Sequence, residues 1–479
     1  MQAPYLAAIA ANRFGLGARP GELAVVGGDP RGWLRAQLSA PPPPLSAPEL
    51  RGSVQILADA LRLRREIQAA RQADAQANST PPADAARSGA AAAADVQQKL
   101  PQFLRPIYVS EVSARFEQAV STDRPLLERL TQFWSNHFAV SVDKQFLAGL
   151  AGSFEREAIR PHVLGNFSDL LLAVETHPAM LLYLDNHLSV GPHSQAAERL
   201  ERRPGQRKIG INENLAREIL ELHTLGVGGG YTQADVTTFA EVITGWSIGG
   251  DGGRFAQAEP GRFVFRPELH EPGAKVVLGR RYVDEGFGQG AAVLRDLARA
   301  RPTAHFIATK LTRHFVADDP PPAVVARLTD AFTHSGGDLP SVYRALIDAR
   351  EAWAEPLAKY KTPCDYVVST FRGLSVPLEP GRAPLAAFDQ LGQRTWQPGS
   401  PAGWPDRSPD WDGASALMKR IEWADAIGGR LGSRRDAAGL AAELLGANLG
   451  EATRQAVARA ASAAQAITLL LAAPEFMRR

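Results

Sequence analysis

Apolar residues recur at three- and four-residue spacing along most of this chain, the pattern that lays one face of an α-helix against a core. Residues 3 to 40 read as two or three short helices broken by Gly15, Gly17, Pro20 and Gly27. A helix follows at about 48 to 73. Two long ones occupy 95 to 150, the second opening near Asp123 with Pro125 in its first turn. The apolar run from 166 to 187 is interrupted at Pro178, because proline disfavours helical geometry in the residue before it. Further helices are predicted at 212 to 226, at 232 to 246 (opened by Thr232 and ended near Gly245), from 283 to 375, and three or four times near the end. Alternation suited to strands occurs only in 254 to 282. There Arg262-Phe-Val-Phe-Arg-Pro and Lys275-Val-Val-Leu-Gly-Arg-Arg-Tyr predict a β-hairpin with a long connection around Glu268 to Gly273. The expected fold is mainly α: a single large multi-helix domain over 1–479 with a small β-hairpin insertion at 254–282.

Four stretches fall outside this periodicity. Pro41 to Pro44 form a stiff connector. Residues 74–94 are rich in alanine, with no aromatic and nothing large to bury, and read as a mobile surface insertion. Residues 192 to 209 are charged and irregular, as in an exposed loop. Residues 393–412 are a Trp/Pro-rich loop holding Trp396, Trp404 and Trp411. The Gly15-Leu-Gly-Ala-Arg-Pro-Gly segment follows a helix rather than a strand, so it reads as a turn and not as a phosphate-binding loop. No internal repeat is evident.

Composition narrows the picture. Hydrophobic residues make up 45% and charged residues 22% of the 479, as in a soluble globular protein. A net charge of +2 gives no general attraction to nucleic acid or to acidic lipid. The one cysteine, Cys364, excludes an internal disulfide framework and a cysteine-based zinc cluster. No apolar run is long enough to span a bilayer. The start of the chain lacks a basic segment followed by an apolar core, so it reads as a folded first helix, which by itself favours the cytoplasm.

The candidate chemistry centres on Asn212-Glu-Asn-Leu-Ala-Arg-Glu-Ile-Leu-Glu-Leu-His-Thr-Leu-Gly. Leucines there surround a narrow polar stripe, and buried ionisable groups are costly unless paired. At about 100° per residue, Asn214, Glu218 and Glu221 share one face, with Arg217 at its border. A plain structural alternative is an ion-pair ladder from Glu213 to Arg217 to Glu221, each step four residues. The functional reading is a pair of carboxylates facing a cleft, whose mutual repulsion keeps one protonated as an acid beside one charged base. His223 projects away from Glu218 on a regular helix and lies in the last turn before Gly226, which is placed to cap it. His177, just before Pro178, is either a satisfied core histidine or a residue that lines a cleft at the helix break. Asp185 and Asn186 close the same short helix and are equally explained as capping residues. His137 sits among aromatics, and His270 lies in the expected hairpin connection. No local histidine spacing supports a metal site, although coordination by three of these histidines stays open. Trp246, Trp396, Trp404 and Trp411 are either a stacking platform for a flat ligand or ordinary packing.

These segments resemble a known family. Asn12-Arg-Phe-Gly-Leu-Gly, Phe133-Trp-Ser-Asn-His-Phe, Thr176-His-Pro-Ala-Met-Leu-Leu-Tyr-Leu-Asp-Asn, the striped helix, Tyr231-Thr-Gln-Ala-Asp-Val, Thr244-Gly-Trp and His270-Glu-Pro-Gly-Ala-Lys together resemble the bacterial family called domain of unknown function 1800. The resemblance covers nearly the whole chain. Its motif glutamates and histidine fall on Glu213, Glu218, Glu221 and His223. It names no activity and no cofactor. It implies a sulfatase-like neighbour protein as a partner, and a place in the cell envelope, since many members carry export signals.

Three functions follow as expectations. The first is a hydrolase acting on a carbohydrate or related envelope polymer. Glu218 would be its general acid and Glu221 or Asp185 its base or nucleophile, with His177, His223, Asn214, Arg217, His137, His270 and Trp246 binding substrate. The second is a non-catalytic helical scaffold that binds the sulfatase-like protein or a polysaccharide. The third is a metal-dependent enzyme using the same glutamates and histidines. Glu218, Glu221, His177, His223 and His270 are expected to line one polar pocket between the 166–187 and 212–226 helices.

Overall fold

The computed structural model describes residues 3–45, 47–77, 82–201, 210–250, 258–354, 357–379, 381, 383–431 and 436–479. The chain is 62% helical, with 22 α-helices among the described residues. One contiguous apolar core runs from Ala7 to Met477. At its centre Trp134 is fully buried, and its indole N–H donates to the Tyr343 hydroxyl at 2.6 Å. That hydroxyl donates in turn to the Val163 carbonyl at 3.0 Å, so the one polar atom of each ring is satisfied inside the core.

The predicted helix starts follow from local chemistry. Pro125 occupies the first turn of Pro125–His137, where its missing N–H has no helical partner to lose. Thr232 and Asp235 form a capping box at Gln233–Val242, each side chain meeting the other's backbone N–H. The 166–187 run divides into Phe167–Glu175 and Pro178–Tyr183. His177 between them is in extended backbone, and its Nδ1 accepts from the Ala179 N–H at 3.1 Å. That histidine therefore caps a helix.

The expected alanine-rich insertion at 74–94 is not a separate loop. The helix Ser53–Ala77 extends into it from one side and Pro82–Ser121 from the other. Residues 78–81, and the side chains of 73–97, lie outside the described residues. Alanine is the best helix former, so a stretch with little to bury still has a strong local preference.

The hairpin region also differs from expectation. The two predicted strands do not pair with each other. Phe263–Phe265 pairs with Trp246–Ile248, a strand that begins directly after the turn at Gly245. Lys275–Val277 pairs with Arg280–Tyr282 across the two-residue turn Leu278-Gly279. Both turn residues have positive φ, 51° and 73°, as the tight hairpin turn matching strand twist requires. Leu278 in that region is strained, and its N–H donates to Asp235 Oδ1 at 2.7 Å, which ties the turn to the capping box. The Val-Val-Leu-Gly-Arg-Arg-Tyr segment is thus a complete small hairpin. Residues 251–257, the start of the predicted element, lie outside the described residues.

Candidate functional site

The polar-striped segment begins as the α-helix Asn214–Glu218 and continues as a π-helical turn, Ile219–His223. A π turn inserts one extra residue into the helical repeat, and single turns of this kind recur at functional sites. Thr224 stabilises it, its hydroxyl donating to the Ile219 carbonyl at 2.6 Å. Gly226 ends the segment at φ 82°, with the Phe306 ring so close that a Cβ at this position would approach it to 2.6 Å. Leu215, Ala216, Ile219, Leu220 and His223 are buried.

His223 does not meet Glu218 in a cleft. Its Nδ1–H donates to Glu175 Oε1 at 2.8 Å, and both side chains are sealed from solvent. His137 lies beside it, its Nε2–H donating to the His223 carbonyl at 3.2 Å. Burial holds the His137 imidazole well below its ordinary pKa, so it is neutral. Phe133, Trp134 and Phe138 surround that ring. These two histidines are parts of a buried network and do not line the expected pocket.

The remaining predicted residues disperse. His177 donates from Nε2 to Glu157 Oε2 at 3.2 Å, and Glu157 also accepts the Ser53 hydroxyl at 2.6 Å. Hydrogen bonds from His177 and Ser53 outweigh partial burial and lower the Glu157 carboxyl below the usual range. His270 donates from Nδ1 to the Thr244 carbonyl at 3.0 Å and lies 3.6 Å from Asp284. Trp246 is fully buried, packed at 5.4 Å from Phe287 and edge-on to Phe263; it is core and touches no surface site. Nor do the tryptophans form one platform: Trp404 and Trp411 sit 6.0 Å apart in the 393–412 loop, while Trp396 and Trp411 are buried. The five expected pocket residues are therefore not brought together.

A smaller group does assemble on the wet side of the striped helix. Arg217 pairs with Glu213 at 2.9 Å, and Glu213 also accepts from Gln233 and Thr237. The second step of the ladder is absent, because Glu221 instead accepts the Tyr231 hydroxyl at 3.3 Å. Asn214 is exposed, its N–H held by Asn212 Oδ1 at 2.9 Å. Glu218 is half-buried, and no hydrogen bond or ion pair reaches its carboxyl among the described residues. Burial raises its pKa, with repulsion from Glu221 adding to it against the opposing pull of His223 and Arg217.

Near Glu218 stands Tyr183, whose phenol is pushed up to about 12 by burial and by the charges of Glu218 and Asp143. Lys144 donates to the Tyr183 carbonyl at 2.8 Å and pairs with Asp185 at 2.6 Å. Asp185 is in left-handed backbone, φ 59° and ψ 20°, a conformation that aspartate tolerates better than most residues and that often marks a functional loop. Tyr183 thus stands between Glu218, whose charge acts on its phenol, and Lys144, which holds its carbonyl and pairs with Asp185.

Sequence reasoning missed Tyr183, Lys144, Asp143, Glu157 and Glu175. Glu175 carried a readable signal, a lone carboxylate ending the run Leu-Leu-Leu-Ala-Val, where an uncompensated charge is costly. Its partner was not legible, since it lies 48 residues away.

Among the described residues no three His, Cys, Asp or Glu side chains form a set that could hold a metal ion, and no helix is long and apolar enough to cross a membrane. No curated protein and no solved structure matches the chain. One family model does, over residues 9–478, and its span takes in the striped helix, the His177–Pro178 break and the Trp-rich loop alike. The chain therefore belongs to the family described as protein of unknown function (DUF1800).

Proposed function

We propose that the protein is a hydrolase working by acid–base chemistry on the surface around Glu218, with a carbohydrate or related polymer as substrate. One observation carries this reading: Glu218 is a half-buried carboxyl that no cation or hydrogen-bond donor among the described residues holds, with a raised pKa. Structural carboxylates in this chain are paired, as Glu175, Glu157 and Glu213 are. A carboxyl left unpaired and raised suits a general acid, which must hold a proton near neutral pH. Asp185, charged beside Lys144 on a different element, takes the role of base or nucleophile. Tyr183 keeps its proton and offers a hydrogen bond to the substrate. An open surface suits an extended chain better than a small molecule, which needs to be enclosed.

The test is Glu218→Gln against the wild type on chromogenic glycosides and on purified cell-wall polysaccharide, with thermal melting alongside. The reading expects hydrolysis by the wild type, its loss in the variant, and an unchanged or slightly raised melting temperature. Absence of turnover together with a destabilised variant would overturn it.

A second reading, a non-catalytic helical scaffold, is favoured by the sealed His223–Glu175 pair, which places the segment's histidine inside the core. On that reading Glu218→Gln costs about 1–3 kcal/mol through loss of a structural group, and a sulfatase-like protein or a polysaccharide binds without being cleaved.

A further inference from the structure

The loop at 393–412 folds back over the helices Pro125–His137 and Arg301–Phe315. Asn136 pins it, its amide donating to the Trp404 carbonyl at 2.9 Å while its Oδ1 accepts from the Trp404 N–H at 2.8 Å. Beneath this strap lies a cavity of about 90 Å³, whose wall includes Gln132, His314, Trp396 and Trp404. His314 and Trp404 also border an outer cleft of about 460 Å³.

His314 is held in one orientation. Its Nδ1–H donates to Asp406 Oδ2 at 2.9 Å, and Asp406 is held by Arg479 at 3.4 Å. That tautomer leaves Nε2 as a lone-pair acceptor. Burial pushes the imidazole pKa down to about 4, so the lone pair is free at neutral pH. Nε2 has no hydrogen-bond partner among the described residues. The same is true of two N–H donors on the same wall, Gln132 Nε2 and Trp404 Nε1. Buried polar atoms are nearly always satisfied, so three unpartnered ones around one cavity point to something that completes them. The neighbouring charges are already paired: Arg115 with Glu155 at 2.8 Å, and Arg129 and Arg479 with Asp365 at 3.1 and 2.9 Å. The spare capacity of the inner cavity is therefore neutral, two donors and one acceptor beside indole rings, while Lys310 and Arg313 border the outer cleft. A hydroxyl both donates and accepts, and the C–H face of a polyol packs well on indole.

We infer that this cavity binds a neutral polyhydroxylated ligand, a polyol or the edge of a sugar, with hydroxyls donating to His314 Nε2 and accepting from Gln132 and Trp404. The volume admits a few heavy atoms, and the rest of a larger ligand extends into the outer cleft. The site is independent of the Glu218 surface, and neither assignment requires the other.

Saturation-transfer NMR on the full chain at neutral pH, with glycerol and methyl α-D-glucopyranoside as probes, tests this. Trp404→Phe keeps an aromatic ring, though a smaller one, and removes the N–H; Gln132→Met removes the other donor at similar volume. The wild type is expected to transfer saturation to at least one probe. Each variant is expected to weaken that binding about fivefold, the worth of one hydrogen bond, and Glu218→Gln to leave it unchanged. No transfer to either probe in the wild type would overturn the inference and leave a cavity filled only by solvent. Binding that both variants retain in full, or that Glu218→Gln alone removes, would equally overturn it. Two variants with different neighbours keep the test open if one of them fails to fold.

Discussion

Glu218 and His223 are five residues apart in one helical segment, and the structure treats them in opposite ways. His223 is sealed in the core and has a carboxylate from a distant helix at 2.8 Å. Glu218 faces a wet surface with no partner among the described residues, and its pKa is raised. A buried ionisable group persists only when something compensates it, whereas a half-exposed one persists uncompensated because water shares the load. Pairing in this segment does not follow depth alone, since the partly exposed Glu213 and Arg217 also pair, at 2.9 Å. The group left unpaired despite partial burial is the one whose retention calls for a functional reason.

The contrast is sharpest at Glu175. Replacing it with alanine leaves His223 without its carboxylate in the dry core and is expected to cost about 3–5 kcal/mol in urea unfolding. A cost below about 1 kcal/mol would mean that the pair is not the structural element described. Next in size is Gly226→Ala, which places a Cβ at positive φ against the Phe306 ring. About 1–3 kcal/mol of destabilisation is expected from the strain, and a neutral result would show that the π turn relaxes without this glycine.

Glu157→Gln comes third, at about 1 kcal/mol near neutral pH. Because the folded-state pKa of Glu157 is lowered, its contribution is present above the ordinary carboxylate range and is lost as pH falls through the lowered value. The gap between variant and wild type should therefore close on acidification, and a gap independent of pH would contradict the assignment. Glu218→Gln has the opposite sign. A raised pKa stabilises the protonated form, so its contribution is full below the ordinary carboxylate range and is lost as pH rises through the raised value. At neutral pH the variant should be as stable as the wild type or slightly more so. The smallest effect belongs to Arg217→Ala, which breaks a partly exposed pair with Glu213 and should stay within about 0.5 kcal/mol. A larger loss there would make the wet face structural as well and weaken the comparison.

Much of the fold was legible because its causes are local. Pro125 in a first turn, the Thr232–Asp235 cap and the break before Pro178 each depend on a few neighbouring residues. The mainly helical class followed from spacing. The strand region was only half legible. Its two apolar segments were found, but partner choice depends on which strand is close in space, and Trp246–Ile248 reaches Phe263–Phe265 first. The Leu278-Gly279 turn then closes the second segment on itself.

For the candidate site, residue types were readable and their grouping was not. The sequence by itself determined that Glu218 and His223 lie in a leucine-walled helix, that His177 stands at a helix break, and that the chain shares its motifs with one family. Only the tertiary structure decided that His223 belongs to Glu175, His177 to Glu157, His270 to the Thr244 carbonyl and Trp246 to the core. It also decided that Tyr183 stands near Glu218, that Lys144 joins Tyr183 to Asp185, and that His314 and Asp406, 92 residues apart, meet beneath the Trp404 strap. The physical reason is range. Helix propensity, capping and proline sterics act within about one turn and are written in consecutive residues. The partner of a buried group is set by which elements pack together, as when Glu175 reaches His223 from 48 residues away.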